Sequence, residues 1–160
     1  VGGNYTLANS NSKTESYGLE LQTNWKPNDD YTLGLGYTRT ESYDGTTCDN
    51  PDGSCIDEMN VRIPRHQLNL IGTKIFNKSL SQTLKVKYVG ERRDYGNVNN
   101  SFKDVILSEY MVVDLVTNYK LFNTYNLHIS AKNILNEGYS EAYGYKSPSR
   151  SFNFMLRNSF

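Results

Sequence analysis

Few residues in this chain could do chemistry, and their surroundings decide whether they do. His66 and His128 are the only histidines among 160 residues, and Cys48 and Cys55 are the only cysteines. Nucleophilic catalysis needs a Ser, Thr or Cys beside a base that a third group orients. His128 shares an alternation phase with Lys132, His66 follows Pro64, and no placed nucleophile accompanies either. The pattern predicts a hydrogen-bonding role for His66 at a strand opening and no enzymatic activity. The cysteines lie in the polar stretch TTCDNPDGSC over 46–55. A zinc site would need further Cys or His ligands nearby. The expected state is a local Cys48–Cys55 disulfide, which implies an oxidising compartment. Asp49, Asp52, Asp57 and Glu58 make the same stretch oxygen-rich, a composition that can hold Ca²⁺. Their spacing fails the twelve-residue EF-hand pattern, so a solvated acidic loop is the reading and Ca²⁺ the alternative.

Two further groups could meet a ligand. Glu91, Arg92, Arg93, Asp94 and Tyr95 are consecutive, at a point where a strand should rise into a loop. Arg92 or Arg93 could contact an anionic ligand or a lipopolysaccharide phosphate, or the cluster could satisfy itself by ion pairing at a rim. Tyr139, Tyr143 and Tyr145 stand in the last long polar segment, where an apolar ring with a polar tip suits a ligand mouth or an aromatic belt. The candidate ligand residues are therefore Arg92, Arg93, Tyr95, Tyr143 and Tyr145. Lys+Arg and Asp+Glu both number 17, a balance that argues against a nucleic-acid partner.

The elements that must carry these residues are strands. Tyr17, Leu19, Leu21, Thr23 and Trp25 alternate with Gly18, Glu20, Gln22 and Asn24, and Tyr31, Leu33, Leu35 and Tyr37 alternate with Thr32, Gly34, Gly36 and Thr38. Period-2 runs recur at 84–89, 113–121, 125–132 and 151–160. The run over about 61–76 changes phase, because Leu68 and Leu70 keep one face and Ile71, Thr73 and Ile75 the other; a bulge near Leu70–Gly72 would account for it. The connections alternate short (26–30, 77–82, 122–124) and long (44–60, 96–108, 135–149). About seven strands thus form an antiparallel up-and-down meander with every long loop at one end, the asymmetry of outer-membrane barrels. Trp25, Tyr31, Phe76, Tyr119, Phe122, Tyr125 and Phe160 all fall at the opposite end, where an aromatic girdle belongs. A soluble β-rich binding module would put these large rings at wet strand ends.

The mean hydropathy of −0.65 excludes a helical membrane protein but suits a barrel, whose strands show one face to lipid and one to the lumen. Lys85, Lys87, Lys120, Lys132, Arg157, Glu20, Glu91 and Asp114 all fall on the lumen phase. Seven strands alone would leave bare edges in lipid, and bacterial barrels have even strand numbers. The chain starts at Val1 without a signal sequence. The expectation is an internal start, with further strands upstream.

Five ordered motifs then carry a family resemblance: Tyr17-Gly-Leu-Glu-Leu21, Arg62-Ile-Pro-Arg-His66, Tyr110-Met-Val-Val-Asp-Leu115, Lys132-Asn-Ile-Leu-Asn136 with Tyr139, and Ser147-Pro-Ser-Arg150 before a strand ending on Phe160. In this order they resemble the C-terminal barrel portion of TonB-dependent outer-membrane receptors, over about nine-tenths of the chain. Ser149 and Leu135 depart from the family's Gly and Phe, and Asn158 sets an amide on the lipid phase. Arg93-Asp94-Tyr95, the 109–121 strand and Tyr143-Gly-Tyr145 look most like cobalamin receptors; ferric-siderophore and haem receptors share the broader pattern. The resemblance implies an all-β, antiparallel up-and-down transmembrane barrel, of which this is the C-terminal seven or so of 22 strands, plugged by an upstream domain. It also implies import of cobalamin or an iron–siderophore driven through TonB, with outer-membrane lipid and lipopolysaccharide as surroundings. A passive porin is the alternative.

Overall fold

A computed structural model of the protein describes residues 14–47, 56–122 and 124–158. It consists of strands: β1 (Glu15–Asn28), β2 (Tyr31–Thr47), β3 (Ile56–Met59), β4 (His66–Ile75), β5 (Leu80–Val89), β6 (Arg92–Val98), β7 (Ser101–Leu107), β8 (Tyr110–Leu121), β9 (Tyr125–Lys132) and β10 (Ser151–Asn158). Seven of them form one antiparallel sheet in the order β1-β2-β4-β5-β8-β9-β10, with β3 paired to β2 beyond the end of β4. The seven strands of this sheet lie in chain order, as the short/long alternation of connections predicts.

The register shows why the sequence alternates as it does. Residues paired across an antiparallel sheet share a face. One continuous row runs Trp25–Leu33–Gly72–Leu84–Leu115–Ala131–Phe152, and the row beside it runs Thr23–Leu35–Leu70–Val86–Val113. This apolar face is the outward one, because Glu20, Lys85, Asp114, His128, Lys132 and Arg157 all project from the other side. Leu19, Phe154 and Leu156 are each more than half exposed. In water that surface would be an aggregation hazard, whereas against hydrocarbon it costs nothing. No helix among the described residues is long and apolar enough to cross a membrane.

At the short-turn end Tyr31, Tyr119 and Tyr125 take the outward face, and Trp25 and Phe76 stand close by. The expected girdle is therefore present among the described residues; Phe160 lies outside them. Lys74 adds to it, with its ammonium 5.1 Å from the Tyr31 ring centre and 4.7 Å from that of Phe76.

Three expectations need correction. There is no bulge near Leu70–Gly72: β4 pairs without a break from Arg39↔His66 to Tyr31↔Lys74, and on its other side from Gln67↔Val89 to Ile75↔Ser81. Ile71 and Thr73 simply face the lumen, and a wide interior accepts apolar side chains among polar ones. The register irregularity falls instead at Trp25–Asn28, where β1 enters its turn. The strand expected from about 61 starts at His66, because Arg62 takes a left-handed φ of 63° and turns the chain. Last, 96–108 is no irregular loop but a second two-stranded sheet, β6–β7, turned at Asn99 and Asn100 with φ of 54° and 61°. Both central residues at positive φ make the tight turn that suits strand twist, and Asn is the non-glycine residue that tolerates it best.

The 44–60 segment is likewise partly stranded, since β2 continues to Thr47 and pairs with β3 at Tyr43↔Met59 and Thr47↔Ile56. Cys48 and Cys55, Asp49 and Asp52 lie outside the described residues.

Candidate functional site

The site at the long-loop end is built around one buried carboxylate. Asp94, the third residue of β6, has no solvent exposure. Its Oδ1 accepts the Arg62 Nε–H at 2.8 Å and the Tyr95 backbone N–H at 2.8 Å, and its Oδ2 accepts the Tyr143 backbone N–H at 2.7 Å. One side chain therefore ties together the turn before β4, the β6–β7 hairpin and the 133–150 segment. The Arg62 N–H also donates to the Arg93 carbonyl at 2.7 Å. Arg93 donates in return to the Met59 carbonyl at 3.2 Å and pairs with Asp104 at 2.7 Å. Gly96 completes the contact: a Cβ there would stand 2.7 Å from the Tyr143 ring, so only glycine lets that ring lie against the hairpin.

Burial alone would raise the Asp94 carboxyl, but the amides of Tyr143 and Tyr95 and the Arg62 guanidinium outweigh it and hold the group below the usual carboxylate range. A depressed folded value means the stabilisation is fully present above the ordinary Asp range, near pH 4, and is lost as pH falls through the lower folded value. Pepsin digestion at stepped acid pH should therefore open the 133–150 segment only below the ordinary Asp range. An Asp94→Asn variant should show no such step; equal profiles for both proteins would refute the role given to this carboxylate.

A second cluster sits on the inward face just beneath. Tyr110 stacks on Tyr139 with ring centres 4.2 Å apart. The Tyr110 hydroxyl donates to Glu141 at 3.2 Å, Lys87 reaches the same carboxylate at 3.3 Å, and the guanidinium of Arg92 lies 5.3 Å from the Tyr110 ring centre. Arg92 is almost wholly buried and donates to the Ser140 carbonyl. Asn133, also buried and at φ 50°, shapes the base of the loop. Its N–H donates to Asp114, its side-chain oxygen accepts the Glu137 N–H, and its side-chain amide donates to the carbonyls of Glu137 and Pro148. The 133–150 segment is thereby folded over the lumen face.

These contacts account for the spaced motifs. Tyr110 and Asp114, four residues apart on one strand face, hold Tyr139 and Asn133 of the next motif, and Asn136 accepts the Arg150 N–H at 3.1 Å. In the first motif, a side chain at Gly18 would collide with the Arg39 carbonyl oxygen. In the second, Arg62 reaches Asp94, Arg65 pairs with Glu41 at 3.2 Å, and His66 bonds the Tyr37 hydroxyl at 2.8 Å. His66 is thus the strand-opening hydrogen bonder expected of it. His128 faces the lumen and bonds Asn118 at 2.8 Å.

Of the five sequence-predicted ligand residues, Arg92, Arg93, Tyr95 and Tyr143 converge around Asp94, and Tyr145 stands apart. The arginines are engaged by protein: Arg92 by Ser140 and Tyr110, Arg93 by Asp104, Met59 and the Tyr95 ring, 5.5 Å away. The rings remain open, with Tyr95 51%, Tyr143 39% and Tyr145 75% exposed. Tyr143 also borders a cavity of about 790 Å³ between the end of β7 and the 136–149 segment, with Ile106, Glu109, Tyr139 and Lys146 on its walls. Sequence reading did not single out Asp94 or Arg62 as the organising pair. The signal was a lone acid flanked by two arginines and a tyrosine, which marks a rim without saying which member turns inward. Among the described residues no group of three His, Cys, Asp or Glu is arranged to hold a metal ion.

Comparison with known proteins agrees with this architecture. No curated protein sequence matches the chain. Among solved structures, the chain is similar to the ferripyoverdine receptor of the outer membrane of Pseudomonas aeruginosa, bound to ferripyoverdine: TM-score 0.73 at 18% identity, over 93% of this chain and 20% of that one. It is similar also to the ferric-catecholate import receptor Fiu of K12 E. coli, with TM-score 0.72, 17% identity, and 91% and 21% of the two chains covered. The siderophore receptor PiuA of Acinetobacter baumannii gives TM-score 0.70 and 21% identity over 91% and 22%. At such identities the likeness is one of fold, and the chain spans about a fifth of the length of each of these receptors. A family model described as "TonB dependent receptor-like, beta-barrel" matches residues 1–134. With that match over most of its length, the chain belongs to the TonB-dependent receptor β-barrel family of the outer membrane.

Proposed function

We propose that the protein imports a scarce ligand across the outer membrane by TonB-coupled active transport, and that this ligand is a ferric siderophore. In this reading residues 1–160 are a C-terminal piece of a barrel of about 22 strands, closed by a plug encoded upstream, with the Asp94-braced loops facing the cell exterior. The observation that carries it is the family match over 1–134 on a meander whose long loops all gather at one end. The siderophore receptors named above support the choice of ligand. The Arg93-Asp94-Tyr95 and Tyr143-Gly-Tyr145 resemblance to cobalamin receptors weighs less, because Asp94 and Arg93 are occupied in bracing loops. Tyr95, Tyr143 and Tyr145 supply the ligand-contacting rings; Arg93 lies against the Tyr95 ring, and Arg92 anchors at Ser140 the segment that carries the other two. Cys48 and Cys55, which lie outside the described residues, are proposed to form a disulfide.

Uptake of radiolabelled ferric siderophores and of cobalamin by cells carrying or lacking the full-length gene decides the ligand. Uptake should be saturable and abolished by deleting TonB or collapsing the proton gradient. Uptake that survives both treatments would make the protein a passive porin instead. Orientation is testable separately, in a variant whose native cysteines are replaced by serine. A membrane-impermeant maleimide on intact cells should label Asn99→Cys, at the β6–β7 turn, and leave Asp29→Cys, in the β1–β2 turn, untouched. The reverse pattern would invert the barrel.

A further inference from the structure

The outward face carries one interruption. In the row that crosses the sheet, Gly72 sits between Leu33 and Leu84, so a notch opens where every neighbour has a side chain. The notch is part of a groove of about 580 Å³, walled by Trp25, Leu33, Leu84, Leu115 and Phe76. Among the described residues its one charged wall is Lys74, one face position nearer the short turns, held between the Tyr31 and Phe76 rings. Lys74 makes no ion pair among the described residues. A lysine at this depth rests its methylenes on apolar surface and keeps its ammonium at the polar boundary, and ring faces on two sides fix where that charge stands.

We propose that this groove is a specific phospholipid site, with one acyl chain lying in the Gly72 notch and the lipid phosphate meeting Lys74. The shape and the charge fit the same amphiphile: hydrocarbon toward the middle of the membrane and a single anion at its edge. In a bilayer, filling the notch gains no hydrophobic free energy, since the alternative solvent is also hydrocarbon; the gain is dispersion contact with the groove walls. The phosphate adds attraction to a cation fixed at the membrane surface. A second copy of the barrel is a poorer occupant, because two-fold pairing at this groove brings Lys74 toward Lys74. The inference rests on the barrel architecture and does not depend on which ligand is transported.

Native mass spectrometry of the full-length protein tests this directly, after purification in mild detergent and loading with phosphatidylglycerol. The protein should keep at least one phosphatidylglycerol through extended detergent washing. Gly72→Leu fills the notch, and its Cβ has room, standing 3.7 Å from Leu33 Cδ1, an ordinary contact. It should lower retention about tenfold, and Lys74→Gln about fivefold, the weight of one cation at an anionic surface. Heat-modifiable gel mobility verifies that each variant is assembled, and Gly72→Ala, with a smaller drop, replaces any Gly72→Leu protein that is not. Absence of retained phospholipid, or unchanged retention in either assembled variant, overturns the proposal. So does a dimer in the same spectra that Gly72→Leu converts to monomer, which would assign the groove to a second copy.

Discussion

Asp94→Ala should unfasten the long-loop end of the barrel while leaving the membrane-spanning sheet assembled. The carboxylate is wholly buried and serves three donors, on the turn before β4, on β6 and on the last long segment. Removing it strands the two backbone amides without acceptors and the Arg62 guanidinium without its counter-charge. The Arg62 side chain is 58% exposed and can rehydrate, so the cost rests mainly on the two stranded amides, roughly 1 to 3 kcal/mol for each. Here that cost falls on local opening, since the strands of the main sheet do not depend on Asp94. Hydrogen exchange of the full-length protein in lipid discs should therefore quicken about 10² to 10³-fold in peptides from 92–107 and 133–150. Exchange in 110–121 should hold steady. Asp94→Asn should fall between, since its amide offers one acceptor and confronts another donor. Asp29→Ala, which removes an exposed pair with Lys26, should change nothing measurable. Unaltered exchange in 133–150 would mean that the Tyr139–Tyr110 and Asn133 contacts hold the segment unaided.

How much of this was legible beforehand differs by element, for physical reasons. Strand faces were, because a sheet between lipid and lumen imposes period 2 on each crossing; the faces assigned to Leu33, Val86, Leu115, Ile129 and Phe154 are those the register gives. The β4 face was harder to read. Ile71 and Ile75 carry no polarity contrast with Leu68 and Leu70, and a wide interior does not require one. The β6–β7 hairpin was hidden by composition: Arg92–Leu107 is polar enough to read as loop, since neither of its faces meets hydrocarbon. Its Asn99-Asn100 turn was the available signal. The site was legible in pieces. Arg92, Arg93, Tyr95 and Tyr143 do converge, but nothing in the spacing said that Asp94, among them, turns inward to be shared by segments 32 and 49 residues away. Which residue of a charged cluster is buried is a property of the tertiary contact, and a single sequence does not carry it.

The opposite end of the chain gives the sharpest test of the sheet's two faces. In β10, Phe154 pairs with Ile129 on the outward face, and Met155 pairs with His128 on the inward one. Both side chains are more than half exposed, so exposure does not distinguish them; only the surrounding medium does. Phe154 stands four residues from Asn158, the register partner of the girdle residue Tyr125. At about 3.3 Å per residue and a tilt near 40°, that places it roughly 10 Å into a hydrocarbon band about 25 Å tall. An arginine near that depth costs on the order of 2 to 4 kcal/mol, and snorkelling from mid-strand recovers only part of it. Phe154→Arg should therefore cut the amount of full-length barrel inserted by about tenfold or more. Met155→Arg, one residue along, puts the same guanidinium beside His128 and Asn118 in a polar interior and should insert at close to normal yield. Heat-modifiable gel mobility of outer-membrane fractions measures both. Equal losses would show that β10 is not read as a two-faced strand, and a worse Met155→Arg would put lipid on the face assigned here to the lumen.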